Sequence, residues 1–193
     1  STMSKSLHIV ARHANSLEDV ETFGKNDPYA QFSLDLEDKD GFKKTSVKKN
    51  AGKNVEWNET IILDNYDPAR HHTLYVEILD QEKGADAVIG YTAVPLYQAA
   101  DAPNQSFKAK FDLLNDDGKQ KGTVSLTITI IDSSQAGAHI TNDNPEVKGF
   151  SEDKSEHQKR IKGLKRKEHA SDAAAIALGV GAILGAKAVL GGG

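Results

Sequence analysis

Between residues 6 and 132 apolar side chains recur at every second position in short runs, and no intervening stretch repeats at the three-to-four-residue spacing of an amphipathic helix. SLHIVARHA places Leu7, Ile9 and Ala11 on one face. YAQFSLDL sets Ala30, Phe32, Leu34 and Leu36 against Tyr29, Gln31, Ser33 and Asp35, which predicts a strand with one buried face. FKKTSVK is a short basic strand, followed by NETIILD (58–64), HTLYVEILD (72–80), AVIGYTAVPL (87–96), SFKAKFDLL (106–114) and GTVSLTITIID (122–132). Gly, Asn, Asp and Pro fill the connections, as turns require. Eight such runs predict an all-β protein, an antiparallel eight-stranded β-sandwich over residues 6–132.

Antiparallel order has a consequence for charge. Successive connections alternate between the two ends of the sandwich, so the first, third and fifth share one end. Those are residues 14–28, 50–57 and 80–87, and they bring Glu18, Asp19, Glu21, Asp27, Asp80, Glu82 and Asp86 to a single pole. Two readings stand: solvated charged loops, or a seat for a cation that offsets their repulsion. Several carboxylates from separate loops suit Ca²⁺, which takes 6–8 oxygens at about 2.3–2.6 Å in flexible geometry; Mg²⁺ is stricter, and Zn²⁺ calls for His or Cys, which these loops lack.

The segments LHIVARHANSL, FGKNDPYAQFSL, KNVEWNETIIL, LYVEILDQE and IGYTAVPL, in that order, resemble a C2 domain, the calcium- and phospholipid-binding β-sandwich. The first strand runs straight into the first acidic loop, and the last strand is left to pair with it. This is similar to the family's circularly permuted, type II topology. The resemblance implies Glu21, Asp27, Asp80, Glu82 and Asp86 as Ca²⁺ ligands. Two of the five are Glu where the family's pattern has Asp, and Asp86 stands in shifted register before Ile89-Gly90. A longer side chain costs more ordering entropy, so weak binding is expected. Phe23, beside Gly24 at the first loop's tip, is the expected apolar anchor in a membrane, with a side chain folded back on the sandwich as the alternative. Lys43, Lys44, Lys48, Lys49 and Lys53 resemble the family's basic phosphoinositide-binding surface and offer a second, calcium-independent route to anionic lipid. A charged edge that blocks sheet-to-sheet aggregation is the other reading of those lysines.

Composition separates the body from the tail. Residues 1–144 hold 22 Asp/Glu against 15 Lys/Arg, whereas residues 145–193 hold 9 Lys/Arg against 6 Asp/Glu. Residues 1–5 read as an extension, with Ser1 and Thr2 a vector remnant ahead of Met3. Residues 133–169 read as a polar, then basic linker, with six Lys/Arg packed into 159–167. Residues 170–193 are Ala/Gly-rich and apolar. There Ala173, Ala177, Gly181 and Gly185 recur every fourth residue, a glycine-zipper pattern suited to close helix packing in lipid or to self-association. A low-complexity terminus without structure is the competing reading.

There is no cysteine, no apolar leader, and no nucleophile elbow, phosphate loop or HExxH motif, so neither disulfides nor an enzyme is expected. The body's acidity argues against nucleic acid. Trp57 is expected to pack in the sandwich, and the His71–His72 pair to lie in a turn. The expected function is phospholipid-dependent docking, modulated by calcium or independent of it, on the cytoplasmic side of intracellular membranes. The alternative is a protein-interaction module whose C-terminal tail alone associates with membrane.

Overall fold

The two-residue period becomes strand almost everywhere it occurs. A computed structural model of the chain describes residues 4–38, 41–132, 134 and 141–177. The strands are β1 (Lys5–Asn15), β2 (Pro28–Ser33), β3 (Lys43–Lys44), β4 (Val55–Tyr66), β5 (Thr73–Asp80), β6 (Ala87–Pro95), β7 (Ser106–Leu114) and β8 (Gln120–Asp132), followed by a two-residue β9 (Val147–Lys148). A short helix α1 (Tyr97–Ala100) follows β6, and a long helix α2 (Ser155–Ala177) ends the described chain. The eight main strands run β3-β2-β5-β6-β7-β8-β1-β4, an antiparallel sheet folded into a sandwich in which β8 pairs with β1, as expected.

Inward-facing Leu7, Ile9, Phe32, Leu63, Leu74, Ile78, Phe111, Leu126 and Ile128 are almost fully withdrawn from water and form one core with Trp57. At about 1.5–3 kcal/mol for each large side chain withdrawn, this burial is the main term holding the fold. The Trp57-Asn58-Glu59 stretch within KNVEWNETIIL has a backbone feature of its own. The β1–β4 register slips between Ala11 and His13, and Asn58 takes up the extra residue at φ 51°, a left-handed conformation that Asn tolerates.

Two expectations change here. β2 is buried on both faces, so Tyr29, Gln31 and Ser33 do not look into water. Asp86 and Lys44 close over Tyr29, and Gln31 is covered through Glu77 by residues read as linker. The stretch 155–169 is the first two-thirds of α2, a 23-residue helix lying on the outer face of β2, β5 and β6. Its inward positions, His157, Ile161, Leu164, Glu168 and Asp172, follow the three-to-four-residue spacing of a helix stripe.

The strip before the helix closes a gap. β6 and β7 pair only at Tyr91↔Leu114. β9 adds to β7 in parallel at Ala109 and Lys110, and Glu152 then exchanges backbone hydrogen bonds with Ala93 of β6, at 2.8 and 3.2 Å. Gly149 makes the crossing feasible, because a Cβ there would sit 2.2 Å from the Phe111 ring. Glu146 pins the strip with an ion pair to Arg12 at 2.7 Å. Among the described residues no helix is long and apolar enough to cross a membrane. The zipper positions Gly181 and Gly185 lie outside the described residues.

Candidate metal centre

Three loops meet at one pole, as antiparallel order requires. The β1–β2 loop joins the β3–β4 loop through Leu17 N–H to Lys53 O (3.0 Å) and Gly52 N–H to Asn26 O (3.0 Å), and it joins the β5–β6 loop through Gln81 N–H to Asp27 O (3.1 Å). Asn26 is the buried hub: its Nδ2 donates to Glu18 O and Gly52 O, and its Oδ1 accepts from Val20 N–H. Without that side chain these backbone groups would lose the partner that ties the two loops together.

Within this frame Glu21, Asp80 and Glu82 converge, with one carboxylate oxygen of each lying within 4.8 Å of the others. Asp80 is fully buried, while Glu21 and Glu82 are partly exposed. Asp80 Oδ1 accepts the Asp27 backbone N–H at 2.7 Å. Its buried Oδ2 has no donor, and the neighbouring Glu21 carboxylate is a further acceptor. Burial, then the close approach to Glu21, outweigh the Asp27 N–H and push the Asp80 carboxyl up to about 8. Two acceptors facing each other need a proton or a cation between them.

The other two predicted ligands are held by the loops themselves. Asp27 Oδ1 accepts Asn50 N–H at 2.6 Å. Asp86 Oδ2 accepts the Tyr29 hydroxyl at 2.6 Å and its Oδ1 accepts Glu82 N–H at 2.9 Å; burial and this bond to Asp86 raise the Tyr29 phenol well above its ordinary range. Glu18 and Asp19 stay out of the cluster, bonded to Asn115 Nδ2 and Glu21 N–H. The donor set that converges is all carboxylate oxygen, which suits a hard divalent cation and not zinc.

Phe23 stands 57% exposed at the tip, next to Gly24 at φ 89°, and is not folded back on the sandwich. The five lysines are spread out. Lys43 and Lys44 form β3 on the sheet edge, Lys48 and Lys53 anchor loop backbone, and Lys49 Nζ reaches Gln81 Oε1. Lys44 Nζ lies 5.5 Å over the Tyr29 ring, in a cleft of ≈ 350 Å³ that also takes in Phe42, Arg160 and Lys167.

The feature that sequence reasoning missed lies under α2. Glu77 is fully buried; its Oε2 accepts His157 Nε2 (2.9 Å) and Arg160 Nε (2.9 Å), and its Oε1 accepts Arg160 Nη2 (3.1 Å) and Gln31 Nε2 (2.8 Å). Burial drives the Glu77 carboxyl up, but these hydrogen bonds and the Arg160 charge win and hold it below the usual range. Tyr75 and Tyr91 close edge-on against the His157 ring, at 5.2 and 4.9 Å between centroids. Glu77, flanked on both sides by apolar residues in LYVEIL, was the available signal that something basic covers it.

Comparison with known proteins agrees with this fold. The family model described as C2 domain matches residues 5–114. A 16 kDa phloem protein 2 of Arabidopsis thaliana is 31% identical over 91 residues, 47% of this chain and 58% of that relative, so the match spans less than two thirds of it. Among solved structures, a single C2 domain of a plant extended synaptotagmin 1 superposes with a TM-score of 0.58 at 24% identity, covering 68% of this chain and 98% of that one. A calcium-bound pair of C2 domains from an extended synaptotagmin 2 gives 0.53 at 20% identity, covering 66% of this chain and 42% of that one. At such identities the likeness is one of fold.

Proposed function

The chain belongs to the C2 domain family, and we propose that it docks on anionic phospholipid membranes through the pole that holds Glu21, Asp80 and Glu82, with a divalent cation, Ca²⁺ by the chemistry of the donors, as the modulator. The observation that carries this reading is the buried Asp80 Oδ2, which has acceptors around it and no donor.

Glu21, Asp80 and Glu82 would hold the cation, which when bound supplies positive charge at an otherwise acidic pole. Asp27 and Asp86 set the loops: Asp27 fixes Asn50 and, through its N–H, Asp80, while Asp86 fixes Glu82 and Tyr29. Phe23 offers apolar surface to the interfacial region once the repulsion between the acidic loops and the lipid is removed. Exposed Lys43 and Lys44 on the sheet edge support a calcium-independent contribution, each worth about 1 kcal/mol near an anionic surface. On this reading the protein is a binding module and not an enzyme, and it works at the cytoplasmic face of intracellular membranes.

The test is co-sedimentation of the full chain with phosphatidylcholine vesicles, with and without phosphatidylserine, in calcium and in chelator. Calcium-dependent binding that Asp80→Asn removes supports the metal pole. Binding to phosphatidylserine in both conditions points to the lysines instead. Binding to vesicles with and without phosphatidylserine that survives both chelator and Asp80→Asn leaves the protein-interaction module with membrane contact by the tail, and no binding in any condition leaves that module with no membrane contact.

A further inference from the structure

Beyond the metal pole, the far end of α2 presents a surface that the reading so far does not use. The helix is seated on the sandwich at the buried Glu77 and then runs toward the same pole. Lys165 pairs with Asp116 (3.1 Å) and Asp117 (3.6 Å) of the β7–β8 loop, whose Asn115 in turn bonds Glu18 of the first acidic loop. One and a half turns later Ser171 Oγ accepts the Ala85 N–H at 3.1 Å, inside the β5–β6 loop that carries Glu82 and Asp86. Gly84 of that loop lies so close that a Cβ there would meet Ser171 Oγ at 2.0 Å.

Past Ser171 the helix continues for six residues, about 9 Å of rise. Ile176 stands 45% exposed on this stretch, among exposed Ala173, Ala174 and Ala177. Arg166 and Lys167, at the level of the pole loops, are exposed as well. The acids of this half of the helix are turned away: Glu168 is half-buried and Asp172 buried, so the exposed residues described from Arg166 to Ala177 include none.

We infer that the C-terminal half of α2 is part of the bilayer-contacting surface, with Arg166 and Lys167 reading anionic headgroups and Ile176 entering the interface alongside Phe23. The occupant is an anionic lipid bilayer. Cations followed by an apolar end, continuous with a pole that already presents an exposed Phe, match its headgroup and acyl layers in order. This inference rests on the proposed membrane role of the pole. It adds a second contact, rigidly placed by the Lys165 and Ser171 contacts, so that one docking event engages both.

The chain has no cysteine, so single labels are unambiguous. Full-length Phe23→Cys and Ile176→Cys, each carrying an environment-sensitive fluorophore, are mixed with phosphatidylcholine/phosphatidylserine vesicles bearing nitroxide lipid, in calcium and with Asp80→Asn as background. The inference expects both positions to be quenched in calcium and both to lose quenching together with Asp80→Asn. Quenching at 23 alone leaves the membrane role of the pole standing and overturns the inference. Quenching at 176 with none at 23 shows a tail acting by itself and overturns the inference together with that role, whereas quenching at 176 that survives Asp80→Asn while quenching at 23 is lost overturns the inference alone. Quenching at neither site removes both. Independently, Arg166→Gln with Lys167→Gln is expected to raise the lipid needed for half-binding by about 25-fold, roughly fivefold per cation, on phosphatidylserine vesicles and to leave binding to neutral vesicles unchanged. An unchanged lipid requirement would overturn the headgroup assignment.

Discussion

Asp80 makes cation binding at the pole a proton exchange. With its carboxyl raised to about 8, it is roughly nine-tenths protonated at pH 7 in the cation-free chain, and a cation can use its free oxygen only by displacing that proton. Binding at pH 7 should therefore release ~0.9 proton, and the apparent affinity should weaken by ~50-fold between pH 8 and pH 6. Calcium titration calorimetry at pH 7, repeated in buffers of different ionisation enthalpy, reads the released proton directly as the slope of the observed heat. Asp80→Asn should abolish the slope and cost more than about tenfold in affinity. The same raised carboxyl gives the stability of the cation-free chain a defined sign. Between the ordinary 3.8 and about 8 the folded chain binds more protons at this site than the unfolded chain. Stability from this group is then fullest at the acid end and falls as pH rises through that window, by up to ~1.4 kcal/mol per pH unit. Asp80→Asn should flatten that slope. A zero calorimetric slope with pH-independent affinity would refute the account of the Asp80–Glu21 contact.

Four other outcomes are expected. Glu77→Ala should strand Arg160 and His157, cost about 3–5 kcal/mol in denaturant melts and raise hydrogen exchange across α2. Because the Glu77 carboxyl is held below its ordinary 4.5, its contribution is complete above that value and is lost as pH falls through the depressed one; acid titration followed by exchange in α2 should show helix release there. Phe23→Ala, at a 57% exposed tip, should change stability by less than about 0.5 kcal/mol while weakening vesicle binding. Gly122→Ala, at φ 80° with the new Cβ 2.8 Å from Ser16 O, should lower the midpoint of thermal unfolding by several degrees, at about 1–3 kcal/mol.

The fold was legible because strand alternation and turn residues are local signals. The convergence of the first, third and fifth connections followed from antiparallel order alone. What was not legible is long-range. Nothing near Asp86 in sequence announces that the Tyr29 hydroxyl, 57 residues away, takes one of its oxygens. Gln31 reads as solvent-facing because the Glu77 it joins is closed over by Arg160, more than a hundred residues downstream. The helix stripe itself was present at His157, Ile161 and Leu164, but it was hidden by a dense run of Lys and Arg that reads as a solvated linker when taken on composition. Lys159, Lys162, Arg166 and Lys167 stand exposed on the outer faces of the same turns, while Arg160 turns inward to Glu77, an amphipathic arrangement.

The strip that closes the gap between β6 and β7 has a consequence for where the chain can be shortened. Residues 147–152 and the Ile161 wedge against Val88, Tyr91 and Leu114 come late in the chain. The first 132 residues on their own lack the strip that seals this flank. A chain truncated after residue 132 should show an open flank between β6 and β7, readable as protease cleavage or chaperone capture, and the flank should close when residues 133–177 are present.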